Sequence, residues 1–141
     1  MQNSHTLEEM YKTGIYKITS LIDGLFYIGS ASSIKAENCR KGFYRRYYLH
    51  NLKLKNNEHR NIIMQNYYNK YGSDSFKFEI LEFCDAQNCK NIEQKYLDSL
   101  KPFYPSGFNI CRNALCTYKT HNRSKNSQNR NLINLNLHIQ K

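Results

Sequence analysis

"GIYKITSLIDGLFYIGSAS", residues Gly14 to Ser32, holds two near-mirrored tripeptides, Gly-Ile-Tyr and Tyr-Ile-Gly, with ten residues between Tyr16 and Tyr27. Each tripeptide sits in a run of β-branched and aromatic residues, and Asp23-Gly24 lies between them as a turn signal. The stretch therefore predicts a hairpin, Gly14 to Ser20 against Leu25 to Gly29. Tyr16 and Tyr27 then stand on neighbouring strands. Whether they share a face depends on the register, which the turn sequence does not fix.

Beyond the hairpin, a loop with Ser30, Ser32, Ser33 and Gly42 leads to a helical stretch from Phe43 to Leu54. A second helix is predicted from Glu58 to Tyr71, with Ile63, Tyr67 and Tyr71 four apart and Gly72 as its cap. Phe76 to Phe83 alternates as a third strand, and a third helix runs from about Asn88 to Leu100, ended by Pro102. Near the end, Ile133, Leu135, Leu137 and Ile139 alternate and suggest a late strand or self-association segment.

The 141 residues suffice for one domain with a modest core. Lys and Arg number 21 against 11 Asp and Glu, a formal net charge of +10, which favours a polyanionic partner. Nucleic acid is the better choice than a membrane. No apolar run approaches the roughly 20 residues of a spanning helix, and Met1 to Met10 lacks signal-peptide features, so an intracellular, soluble protein is expected.

The charge is clustered. Lys35, Arg40, Lys41, Arg45, Arg46, Lys53, Lys55 and Arg60 face only Glu37 and Glu58 in their stretch. After Ile110 come Arg112, Lys119, Arg123, Lys125, Arg130 and Lys141 with no acid, in an Asn- and Ser-rich setting. This divides the chain into an N-terminal extension (1–12), a folded domain (13–110) and a short basic tail (111–141). The five cysteines form an odd set with free thiols as the expectation, although Cys84/Cys89 and Cys111/Cys116 have gaps that a zinc site could use. Cys39 stands apart from both pairs.

On the first helix, Phe43, Tyr47 and Leu54 line one side while Arg46, His50 and Lys53 form a stripe at its edge. Such a stripe could hold a phosphate, or simply be solvated. On the third helix, Cys89, Ile92, Tyr96 and Leu100 make an apolar arc that Leu97 continues, and Glu93 lies inside it. A carboxylate there must be paired with a base, hydrogen bonded, bound to a metal or protonated.

With these residues in place, the chain resembles the GIY-YIG nuclease family, the catalytic module of many homing endonucleases and of some restriction and repair nucleases. Gly14-Ile15-Tyr16 and Tyr27-Ile28-Gly29 match its two name-giving tripeptides. "FYRRYYLH" matches the segment of its catalytic arginine at Arg46, with Arg45 beside it and His50 one turn later. "NKYG" (Asn69 to Gly72) matches the close of its next helix, "EQKYLDSL" places its catalytic glutamate at Glu93, and "GFNI" places its structural asparagine at Asn109. The resemblance spans Thr13 to Ile110. It implies an α+β fold, a small three-stranded, mostly antiparallel sheet flanked by helices, in agreement with the elements read above.

It also implies DNA as partner and a metal-dependent phosphodiester hydrolysis. Glu93 would hold one divalent ion, Mg²⁺ or a similar cation such as Mn²⁺. Arg46 would donate to the phosphate's nonbridging oxygens. Tyr16 resembles the family's general base, assisted by Tyr27, and His50 would relay a proton; a phenol needs neighbouring positive charge for that task. His59 falls where some members carry another site histidine, and reads equally as an exposed incidental residue at a helix start. Lys35, Arg40, Lys41, Arg45, Lys53 and His59 are the candidate DNA contacts, three of them in or beside a loop long enough to be a contact insertion. Only 31 residues follow Ile110, too few for the long recognition region of the homing enzymes. A catalytically weak nucleic-acid-binding module, a structure-selective repair-type nuclease and a possible dimer or separate recognition subunit stay open. The wealth of Asn, Lys, Ile and Tyr hints at an AT-rich source such as a mobile element, which is coding bias and not physics.

Overall fold

The hairpin forms as the sequence reads: β2 (Gly14–Ser20) pairs antiparallel with β3 (Phe26–Ala31). Their turn uses Gly24 at φ 78°, a left-handed position that suits glycine, and the Asp23 carboxylate accepts the backbone N–H of Leu25. The computed structural model describes residues 1–35 and 40–115. Cys39, Cys116, the tail beyond Leu115 and the alternating segment from Ile133 to Ile139 lie outside the described residues.

Before the hairpin come β1 (Gln2–Asn3) and α1 (Leu7–Met10); after it come α2 (Gly42–Lys55), α3 (Ile62–Tyr71), β4 (Phe76–Phe83) and α4 (Cys89–Leu100). The sheet has the order β1-β4-β2-β3. It therefore carries one strand more than the expected three. That strand, β1, runs parallel to β4, with Gln2 beside Lys77 and Asn3 beside Phe78. Two residues are too few to show any alternation. What anchors them is α1, whose capping box joins Thr6 and Glu9 and whose last residue, Met10, is buried in the core.

Strand β3 runs to Ala31, past the expected end at Gly29, and two features of the helices also differ from the sequence reading. Helix α3 starts at Ile62, not Glu58, because Asn61 caps it by accepting the N–H of Met64. Leu100 is 48% exposed, so the buried row of α4 is Cys89, Glu93 and Leu97, spaced four apart.

The sheet separates two cores. Tyr16, Ile18, Phe76 and Phe78 pack with Phe43, Leu54, Ile63 and Met64 from α2 and α3. On the opposite face Ile15 and Ile28 pack with Leu97, alongside Ile92 and Tyr96 of α4. Strand β3 is the sheet's edge, yet its outward groups are used. Phe26 O accepts the N–H of Phe108, both backbone groups of Ile28 bond the Asn109 amide, and Ser30 O accepts Arg46 Nε. Among the described residues, no helix is long and apolar enough to cross a membrane.

Candidate active site

The register answers how the paired tripeptides work. Tyr16 lies opposite Gly29, and Tyr27 lies opposite Ile18, two residues away from Gly29, so the two phenols share one face as diagonal neighbours. Their ring centroids are 6.2 Å apart. Gly29 is what leaves room for them: a Cβ there would fall 2.5 Å from Tyr16 Oη and 2.8 Å from the Tyr27 ring. The glycine of one tripeptide thus makes space for the tyrosine of the other.

Tyr16 is fully buried, stacked on Phe78 at 4.9 Å, while Tyr27 is half-buried. Tyr16 Oη lies 2.8 Å from Nε2 of His50, which α2 presents from the buried side of its stripe. His50 Nδ1 lies 2.7 Å from Nε2 of His59. His59 is therefore neither isolated nor at the start of α3. It sits before the helix, stacked 5.0 Å from the His50 ring, and its own N–H is held by the Gln65 side chain.

Arg46, one turn before His50, is exposed by area, although its head reaches the cleft beside the phenols. Its Nε donates to Ser30 O at 3.1 Å, leaving the terminal nitrogens of the fork for a ligand. Glu93 arrives from the other face of the sheet. It is only 6% exposed, and its Oε2 accepts from Ser30 Oγ at 2.6 Å and from Lys90 Nζ at 3.1 Å. The carboxylate inside the apolar arc is thus hydrogen bonded and ion paired, and Oε1 has no hydrogen bond among the described residues. Tyrosines, histidines and arginine on one side and the carboxylate on the other meet around β3.

Tyr27, Arg46, His50, His59 and Glu93 line a cleft of about 400 Å³, with Tyr16 buried behind them, and its cations are Arg46, Lys53, Arg60 and Lys90. Arg60 and Lys90 escaped the sequence reading of the site. Lys90 was legible, lying three residues before Glu93 on one helix, a spacing that pairs side chains. Of the expected DNA contacts, Lys53 and His59 line the cleft, and Lys35, Arg40, Lys41 and Arg45 do not. Lys35 is exposed, the Arg40 guanidinium lies 3.4 Å over the Tyr48 ring, and Lys41 Nζ lies 5.6 Å over Tyr11. Asn109 lines the cleft, but its amide is spent on Ile28, donating to O at 3.0 Å and accepting from N at 2.8 Å. It fixes the strand and is not free to do chemistry.

Cys84 and Cys89 are free thiols with sulfurs 3.5 Å apart. Among the described residues, no three His, Cys, Asp or Glu side chains gather as a metal cluster, so neither cysteine belongs to a described zinc site. Contacts continue past Ile110: Gln94 of α4 donates to Arg112 O and accepts the N–H of Ala114, which holds residues 112–114 beside the cleft.

Burial governs the electrostatics. It pushes the Tyr16 hydroxyl well above its usual range, with Tyr27 adding to the rise and Arg46 opposing it. Tyr27 is raised by burial and by Glu93, again against Arg46. Arg46 is raised in turn, first by Tyr16. Burial, then His59, holds His50 well below the ordinary histidine value, and burial lowers His59 to about 4. Burial, Arg60 and Arg46 together lower Lys53.

No family model matches the chain. Solved structures do. The catalytic domain of the intron endonuclease I-TevI, in a mutant form, is 26% identical with a TM-score of 0.59, over 72% of this chain and 95% of that one. The catalytic domain of the homing endonuclease I-TevI, also 26% identical, matches with a TM-score of 0.58 over 71% of this chain and 99% of the other.

Proposed function

We propose that the chain, similar in fold and motifs to the GIY-YIG nucleases, is a metal-dependent endonuclease that hydrolyses DNA phosphodiester bonds. The observation that carries this reading is the convergence of the Tyr27 phenol, backed by the buried Tyr16, with an arginine fork and a buried carboxylate on one cationic cleft. A module that only binds a polyanion gains nothing from a carboxylate facing the phosphate.

Glu93 fits a hard divalent cation through Oε1, because Mg²⁺ accepts one carboxylate and fills its remaining positions with water and phosphate oxygens. When bound, such an ion stabilises charge on the reacting phosphate and on the leaving oxygen. Ser30 and Lys90 hold the other oxygen and fix the carboxylate's orientation. The terminal nitrogens of Arg46 face the nonbridging oxygens, where a planar fork serves better than an ammonium. Tyr16, with Tyr27, is the base for the attacking water. Arg46 draws the phenol's proton away against the burial that retains it, and any further positive charge in the cleft acts in the same direction. Lys53 and Arg60 hold DNA phosphates, and the basic residues after Ile110 add affinity without sequence choice.

The test is incubation of supercoiled plasmid with the purified protein and Mg²⁺. Nicked or linear DNA is expected, lost with EDTA, with Arg46→Ala and with Glu93→Gln. Intact plasmid together with a salt-sensitive gel shift would assign the chain to binding alone. Cleavage confined to branched substrates would make it structure-selective.

A further inference from the structure

Behind the phosphate-facing groups lies a hydrogen-bond chain whose direction is fixed at its far end. The backbone N–H of Asn61 can only donate, and it lies 3.0 Å from His59 Nδ1. Nδ1 is therefore the bare nitrogen of that ring, and neutral His59 carries its proton on Nε2. From there it donates across 2.7 Å to His50 Nδ1. His50 in turn carries its proton on Nε2 and donates across 2.8 Å to Tyr16 Oη.

The stacked rings, with planes 20° apart, keep this order. So does the surrounding charge. Arg46, Lys53 and Arg60 share the cleft with the two imidazoles, and burial with this positive charge keeps both neutral at neutral pH. Only the neutral pair can pass a hydrogen bond in one direction from the Asn61 amide to the phenol.

We propose that His59 is a positioning residue: its tautomer, set by the Asn61 amide, makes His50 a donor to Tyr16 and turns the Tyr16 hydroxyl proton toward Tyr27. His50 then supports the Tyr16 oxygen as it becomes phenolate and does not take its proton, which leaves on the Tyr27 side, into the cleft. Tyr27, on the same face with its ring centroid 6.2 Å from that of Tyr16, is the phenol on that side. The use of this chain in catalysis rests on the endonuclease reading; its direction does not.

The direction can be read without DNA or metal. Long-range ¹H–¹⁵N spectra of the full chain at pH 7 distinguish the two imidazole tautomers, and both His50 and His59 are expected neutral with the proton on Nε2. A proton on Nδ1 of either ring, or a doubly protonated ring, overturns the proposal. Variants then separate positioning from packing. His59→Gln, which can still donate to His50 Nδ1, retains the Nε2 proton on His50 and cleaves within about tenfold of the parent. His59→Glu, which can only accept, moves the His50 proton to Nδ1 and lowers cleavage about 100-fold, the size of a proton-transfer contribution. An unchanged His50 spectrum in His59→Glu counts against the proposal, and the parent spectrum decides the matter if a variant does not fold. Plasmid cleavage with the opposite tautomer would remove this inference and leave the endonuclease reading intact; the expected tautomer without cleavage would do the reverse.

Discussion

The buried and the open groups of the site are supplied in different ways. On the face of Tyr16, the reacting groups are core: Tyr16 stacks on Phe78, His50 is 9% exposed, and each polar atom is held by the next. On the side that meets the ligand, Arg46 is exposed and the side chain of Lys90 is 43% exposed, each making one bond and keeping other donors free. One half is therefore preorganised at the expense of high phenol pKa values. The other can rearrange around a phosphate or cation. A rigid base beside adaptable charge is a workable division, because proton transfer tolerates less misplacement than charge stabilisation does.

Substitutions should divide along the same line, the buried half losing stability and the open half only activity. The largest effect is expected for Gly29→Ala, whose methyl would meet the Tyr16 hydroxyl and the Tyr27 ring inside a packed region. A loss of about 3 kcal/mol, seen as a fall of roughly 12 °C in Tm, is expected together with loss of cleavage. Acid should act next. His59 has a depressed pKa, so the unfolded chain binds a proton that the folded chain refuses between pH 6.5 and about 4. Stability is full above 6.5 and falls as pH drops through that window, by at most about 3 kcal/mol, with His50 adding in the same direction. Denaturant midpoints at pH 7, 5.5 and 4.5 test this, and an invariant midpoint would place both imidazoles in solvent.

Arg46→Lys probes the open half. Cleavage should fall about 100-fold, equivalent to about 2.7 kcal/mol of barrier, while Tm stays within about 2 °C. Tyr16→Phe is the cross-check, since it leaves the buried Nε2–H of His50 without its acceptor. It should cost about 2 kcal/mol of stability as well as activity. Lys90→Ala should change stability by no more than about 1 kcal/mol, because the lysine end of the pair is exposed and Ser30 still donates to the buried Glu93 carboxylate. If Lys90→Ala proved as destabilising as Tyr16→Phe, the contrast between the halves would be lost.

What the sequence made legible follows from periodicity. Strands β2 and β4 agree with the alternation at both ends, and Glu93 stood out as a carboxylate inside an apolar arc. Strand β1 was hidden, since pairing of two residues depends on a partner 75 residues away. His59 was misread because its neighbour in space, His50, is nine residues distant and joined by a turn that Asn61 reshapes. Arg40 and Lys41 were read as DNA contacts from charge, and what charge counts do not register is that both lie over aromatic rings. Arg60 reaches the cleft only through the way α2 and α3 are joined.

The bidentate grip of Asn109 on Ile28 has a consequence for biosynthesis. A chain emerging N-terminus first exposes β2 and β3 before Phe108 and Asn109, the latter 81 residues beyond Ile28, can cover the Ile28 edge. Until then the nascent sheet presents the Phe26 carbonyl and both backbone groups of Ile28 as a template for another strand. The same two residues that close the edge steady the strand between Tyr27 and Ser30, so translation finishes the catalytic geometry and removes the aggregation hazard in one step.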